Sequence, residues 1–257
     1  MTGKKHHHHG APASHPIRVV PMHVPGRVGE AAPAAQLTYR GGPLIANVEV
    51  FTIYWGSGWN KSPASDLIAQ LNQFFTDILT STLLDELSEY SVPGTAIGHG
   101  KFVGSKTVTS PGPGTTVDDS DIQKFVQNQI QSDSSIFQPG ANSLYFVYVQ
   151  PGTTVTQGGS ASCQAFCGYH DAINSSIFYA VMPYPGCSGC TGGLDVFPSL
   201  TSTSSHELCE AITDPVPGQG WYDDSNGEIG DICAWKTKTL SGYTVQLEWS
   251  NKAKKCV

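Results

Sequence analysis

The 257 residues include 21 Asp and Glu against 14 Lys and Arg, a net charge of −7 with no basic stripe, which sets aside nucleic-acid binding. No apolar run approaches the roughly 18 residues that signal a membrane-spanning helix. Hydrophobic residues at 39% allow a substantial core, while charged residues at 14% leave the surface to Ser, Thr, Asn, Gln and Gly, as is common in extracellular proteins.

Residues 1–36 hold the histidine run 6–9, many Ala and Pro, and few large apolar residues. They are expected to be a disordered N-terminal segment or a tag, ahead of a single globular domain over 37–257. Residues 48–55, rich in β-branched and aromatic side chains and closed by Gly56, predict a buried strand. Ser62-Pro63 then offers an N-cap and first-turn pair, and Ile68, Leu71, Phe75 and Ile78 follow at helical spacing, which predicts an amphipathic helix to about Leu87. A weakly alternating strand is expected over 101–109, a turn at 111–114, and a helix over 121–131 with Ile122, Val126 and Ile130 on one face. Residues 143–149 read as a strand, 152–162 as a loop, and 177–182 as a strand stopped by Pro183. A helix over 200–213, stopped by Pro215, precedes a loop-rich tail with a strand at 243–249. Alternating strands and helices predict an α/β (α+β) domain: a mixed sheet with packed helices and a disulfide-stapled, loop-rich C-terminal part.

The 200–213 helix carries the chemistry. His206 and Glu210 stand at i and i+4, one above the other on a helix face, where both can reach one cation. Glu207, one residue on, takes the position that holds the general base in His-Glu-x-x-His peptidases. An ordinary solvated helix face is the alternative for so short a pattern. The stretch 220–233 adds Asp223, Asp224, Glu228 and Asp231 among large apolar residues. Carboxylates held in a packed loop need a cation or a hydrogen-bond network. Glu228 or Asp231, with Asp214 as a further candidate, is expected to supply a third ligand.

Seven cysteines point to an oxidising compartment. Cys163, Cys167, Cys187 and Cys190 are expected in two disulfides of undetermined connectivity, with a structural zinc as the alternative. Cys233 and Cys256 are expected to form a third bridge, leaving Cys209 as a buried free thiol. His99 is read as structural. His170 is read either as a hydrogen-bonded histidine or as a catalytic group that polarises a carbonyl near the metal.

The runs Ser205-His-Glu-Leu-Cys-Glu-Ala-Ile-Thr-Asp-Pro215, Trp221-Tyr222 and Gly227-Glu-Ile-Gly-Asp-Ile-Cys233 resemble the Exordium (phosphate-induced protein) family, secreted plant proteins with bacterial relatives. Tyr39-Arg-Gly-Gly-Pro43, Tyr54-Trp-Gly56, Cys163-Gln-Ala-Phe-Cys-Gly-Tyr-His170 and Cys187-Ser-Gly-Cys190 fit the same pattern, from about residue 37 onwards. That resemblance implies secretion and a tie to the cell wall. The layout is also similar to zincin metallopeptidases, which place several strands before a helix bearing His-Glu, with another ligand downstream. Glu210 departs from that pattern, because a histidine stands there in His-Glu-x-x-His. Zinc accepts a carboxylate, as calcium or manganese would, but two carboxylates weaken the metal as a Lewis acid.

The expected function is therefore a secreted, zinc-dependent endopeptidase, taken as a monomer acting on peptide or protein. His206, Glu210 and Glu228 or Asp231 would hold the metal, Glu207 would activate water, and His170 or Tyr222 would stabilise the oxyanion. Two alternatives stand beside it. One is a non-catalytic extracellular protein with a structural metal site, binding cell-wall polysaccharide or a partner, with Trp55, Trp59 and Trp221 read equally as sugar-stacking or as core residues. The other is a zincin-like fold that binds no metal.

Overall fold

The computed structural model describes residues 19–24, 34–133 and 138–257. Its centre is a six-stranded mixed sheet of β1 (Val19–Pro21), β2 (Glu49–Trp55), β3 (Lys101–Val108), β4 (Ser143–Val149), β5 (Phe166–Ile173) and β6 (Ile177–Met182). The spatial order is β1-β5-β6-β4-β2-β3. The four strands β6, β4, β2 and β3 run parallel, whereas β5 is antiparallel to β6 and β1 is antiparallel to β5.

Helices cover both faces. That is why central β4, Ser-Leu-Tyr-Phe-Val-Tyr-Val, is buried at every position and reads as an unbroken apolar run rather than an alternating one. Leu144, Phe146 and Tyr148 join the core beneath α1 (Ala64–Ile78) and α3 (Val196–Thr213). Tyr145, Val147 and Val149 face the other way, toward α2 (Asp119–Ser132). α1 buries Leu67, Leu71, Phe74, Phe75 and Ile78, and α2 buries Ile122, Phe125, Val126 and Ile130. The Asp118 side chain caps α2 by accepting from the Ser120 N–H.

The expected fold class is met, and several expected elements are corrected. The helix expected to reach Leu87 ends at Ile78, and Ser81 caps a separate short helix, Thr82–Glu86. The N-cap of α1 is Pro63, so the chain turns helical one residue later than Ser62-Pro63 suggested. The expected loop at 152–162 holds two short strands, Thr154–Gln157 and Ser160–Ala161, around a turn where Gly158 and Gly159 have positive φ. β5 was not anticipated at all. α3 begins at Val196 rather than at residue 200. The strand expected at 243–249 stops at Gln246: β8 (Tyr243–Gln246) pairs with β7 (Thr237–Leu240), and Trp249–Ser250 pairs with Lys255–Cys256.

The expectation that residues 1–36 lie outside the fold is corrected for Val19–Pro21, which extend the main sheet. The strand itself ends in Pro21, which is tolerated there because an edge strand leaves one row of N–H groups unused. Residues 1–18 and 25–33 of that expectation, with the histidine run, lie outside the described residues.

Three disulfides, Cys163–Cys187, Cys167–Cys190 and Cys233–Cys256, resolve the connectivity, and Cys209 is free and buried as expected. Trp55 and Trp59 are core residues: Trp55 stacks on Phe125 and Trp59 donates its indole N–H to the Tyr148 carbonyl. Trp221 is half-buried against Tyr90, to whose carbonyl it donates. These three indoles therefore form no exposed platform for stacking on sugars. No helix among the described residues is long and apolar enough to cross a membrane.

Candidate metal centre

α3 is sandwiched between the sheet and the C-terminal hairpin, and every residue from Ser199 to Thr213 is buried. Leu208, Ala211 and Ile212 enter the apolar core. His206, Glu207 and Glu210 turn toward β5 and the 223–233 loop. The i, i+4 spacing brings His206 Nε2 to 2.9 Å from Glu210 Oε1. Yet neither ring nitrogen of His206 has a partner in hydrogen-bond alignment. Ligand-type atoms lying side by side without facing each other are disposed to converge on a third centre.

The 223–233 loop completes this group. The Asp231 N–H donates to Glu210 Oε1 at 3.1 Å, and Asp231 Oδ1 lies 4.0 Å from His206 Nε2. Asp231 Oδ2 accepts from the Glu228 N–H at 3.1 Å. Two glycines allow the close approach. Gly227 has φ 87, and a side chain there would strike the Asp231 carboxylate. Gly230 lies against the His206 ring, where a Cβ would come within 2.8 Å of Nδ1. His206, Glu210 and Asp231 thus offer one ligand atom each within 4.8 Å of one another. A second such group, His170, Glu210 and Glu228, shares Glu210.

His170 projects from β5 into the same space, beside the candidate base rather than toward an open position. Its Nδ1 is 2.9 Å from Glu207 Oε2, and its Nε2 is 3.1 Å from the Asp214 carbonyl oxygen. A carbonyl only accepts, so Nε2 carries a proton, and the Glu207 carboxylate favours a proton on Nδ1 as well. Burial alone would lower the His170 pKa. The hydrogen bond and charge of Glu207, with the charges of Glu210 and Asp214, outweigh burial and raise it to about 9. Both ring nitrogens are engaged, so in this arrangement His170 positions Glu207. Tyr222 lies elsewhere, in a short ladder with Thr38 and beneath the Arg40 guanidinium. His99 pairs with Asp85 near the surface.

Asp214 closes the C-terminus of α3. Its carboxylate accepts from the backbone N–H groups of Gly218, Gln219 and Gly220 at 2.5, 3.0 and 2.5 Å. Those bonds commit it to the turn, which leaves Glu228 and Asp231 as the acidic candidates for the third ligand. Both oxygens of Glu228 and one each of Glu207 and Glu210 have no hydrogen-bond partner. Glu248, which no motif in the sequence marks, is also buried with both oxygens unpartnered, and His206 and Glu210 are among the charges acting on it. A lone acid in the apolar run Val-Gln-Leu-Glu-Trp was the signal that could have found it.

The electrostatics of this cluster are unbalanced. Burial pushes Glu207, Asp214, Glu228, Asp231 and Glu248 up, Asp231 to about 8 with the Glu210 charge adding to the effect. Burial also works to raise Glu210, but His206 outweighs it and holds that carboxyl below its usual value. Among the described residues no Lys or Arg ion-pairs with any of the six acids. An uncompensated buried ion costs several kcal/mol, against a total stability of about 5–15 kcal/mol for a domain. His170 and His206 are the basic side chains within ion-pair distance of these acids, and both are held above their ordinary pKa. Two imidazolium charges offset at most two of six carboxylates, so all six are ionised only if further positive charge joins them.

No protein-family model, curated protein or solved structure matches the chain.

Proposed function

We propose that this protein is a secreted, zinc-dependent hydrolase of the peptidase type. In this reading His206, Glu210 and Asp231 hold the metal, Glu228 is the adjoining acid, and Glu207 is the general base. The observation that carries it is the buried cluster itself: His206, Glu210 and Asp231 bring ligand-type atoms within 4.8 Å of one another, both His206 nitrogens and one Glu210 oxygen lack hydrogen-bond partners, and among the described residues no Lys or Arg pairs with the acids. One imidazole with two carboxylates suits zinc, whereas calcium takes six to eight oxygen ligands. Bound zinc would supply the Lewis acid that polarises a scissile carbonyl. Glu207 has one oxygen tied to His170 and the other unpartnered, so it is placed to take a proton from the attacking water. The positive His170 beside it counteracts burial and favours the ionised, proton-accepting form of Glu207. Three disulfides support an extracellular setting.

The test uses the full chain with histidines 6–9 replaced by serine, because that run binds metal by itself. Elemental analysis after dialysis is expected to find stoichiometric zinc, lost in His206→Ala. Glu207→Gln is expected to keep zinc and abolish cleavage of a peptide library. Absence of bound metal from both proteins overturns the reading.

The zero exposure of His206, Glu207 and Glu210 favours a second reading, in which the metal only holds the fold together. Chelation then lowers the melting temperature and no peptide is cut by any form of the protein.

A further inference from the structure

The antiparallel strand β5 would be the free edge of the sheet if the chain began at its main body, and a free edge is a template for an added strand. Residues 19–23 take that place. Val19 pairs with Tyr169, Val20 with Gly168 and Pro21 with Phe166. The contacts beyond the ladder are as specific as the pairing. Val20 is 3% exposed and packs with the Cys167–Cys190 disulfide. The Trp235 indole N–H donates to the Pro21 carbonyl at 2.9 Å, and the His23 N–H donates to the Gly189 carbonyl at 2.7 Å. The His23 ring meets Trp235 edge-on. Met22 lies directly over Gly189, where a Cβ would collide with its side chain.

We infer that the edge of β5 is a binding groove for an extended polypeptide, and that residues 19–23 fill it in cis. Three features set it apart from an ordinary strand pairing. Ser188, Gly189, Gly192 and Gly193, together with Met22 and His23 themselves, line an open depression of about 410 Å³, so the wall beside the occupant is built of small residues and leaves space next to it. The occupant is separated from the main body by the long stretch of sequence 24–36. And the groove passes the candidate base: Gly168, the partner of Val20, lies so near Glu207 that a Cβ on it would be 3.4 Å from the unpartnered Oε1. A polypeptide in this groove takes its affinity from main-chain hydrogen bonds and its selectivity from alternate side chains, here a β-branched residue opposite Gly168 and a long apolar one over Gly189. The groove rests on pairing geometry alone; only a rise in hydrolysis on clearing it rests on the function proposed above.

The experiment places a specific protease site between Gly26 and Arg27 of the full chain and cuts the folded protein. A fluorescent peptide of residues 17–24 is then added and its anisotropy followed, with no metal required. The cut chain is expected to keep its near-UV circular dichroism and to take up the peptide, while uncut protein does not. A peptide with Val20→Asp is expected to bind roughly tenfold more weakly or worse, since it buries an unpaired carboxylate. Loss of near-UV signal on cutting, or no uptake by the cut chain, overturns the inference and makes residues 19–23 an integral strand. Peptide uptake with no hydrolysis of any peptide keeps the groove and counts against the peptidase alone.

Discussion

Glycine at position 230 is the most exposed test of the candidate centre, because nothing in its backbone demands a glycine. Its φ is −80, ordinary for any residue, so a substitution there reports on space alone. The space is taken by His206: a Cβ would stand 2.8–2.9 Å from Nδ1, Cε1 and Cγ of the ring. Gly230→Ala must therefore move the imidazole or the loop that carries Asp231. Overpacking of this kind costs about 1–3 kcal/mol. The expected result is a loss of that size in denaturant unfolding and a larger relative loss of zinc affinity in a competition titration. Unchanged zinc affinity would show that His206 is not held in register with Asp231 by this contact. The i, i+4 pair on α3 was legible in the sequence because helical spacing fixes it. The approach of Gly230 to His206 was not, because it joins positions that only the tertiary fold brings together. The same holds for His170: its sequence neighbours mark it as a member of a cysteine-rich run, and its pairing with Glu207 depends on β5 lying beneath α3.

At the level of elements, the centre is assembled from one rigid piece and one stapled piece. α3 is fixed by burial along its whole second half, whereas Asp231 sits in a single 3-10 turn, Asp231–Cys233. That turn is anchored by the Cys233–Cys256 bridge two residues on, which closes a separation of 23 residues. Cross-linking a loop of that size is worth about 3 kcal/mol in the chain-entropy view. Replacing both cysteines by serine is expected to remove stability of about that size and to weaken zinc binding as well. The matching change at Cys163 and Cys187 is expected to lower stability but leave zinc affinity intact, since that bridge anchors neither α3 nor the 223–233 loop. Equal zinc affinity in the two variants would mean that the C-terminal bridge does not position Asp231. The strands with unbroken β-branched and aromatic runs, β2, β4 and β6, announced themselves because a sheet covered on both faces demands such runs. β5, Phe-Cys-Gly-Tyr-His-Asp-Ala-Ile, did not. Its glycine reads as a breaker and its histidine as a polar interruption, yet Gly168 makes room for Thr203 and Glu207 and His170 is needed beneath the helix. The features that hid the strand are the ones that serve the site.

For the molecule as a whole, the buried acids make stability a function of pH whose sign depends on the metal. In the chelated protein, Glu207, Asp214, Glu228, Asp231 and Glu248 hold their protons more tightly when folded than when unfolded. A carboxyl raised in the folded state contributes stability at low pH that is lost as pH climbs from its ordinary value to its folded one, which for Asp231 means from near 4 to about 8. His170 works in the same direction. Its folded pKa of about 9 lies above its ordinary 6.5, so its contribution is complete below 6.5 and lost as pH rises through 9. Glu210 is the exception: lowered in the folded state, it adds stability above its ordinary pKa and loses it on acidification, so it is level across neutral pH. The sum is a chelated protein that is more stable at pH 6 than at pH 8.5. Zinc held as proposed would reverse the slope, because ligation requires the deprotonated groups and becomes tighter as they lose their protons. Melting curves taken across that range, with chelator and with zinc, are expected to diverge progressively toward high pH. Parallel curves would mean that the buried acids share their protons among themselves and that no cation completes the cluster.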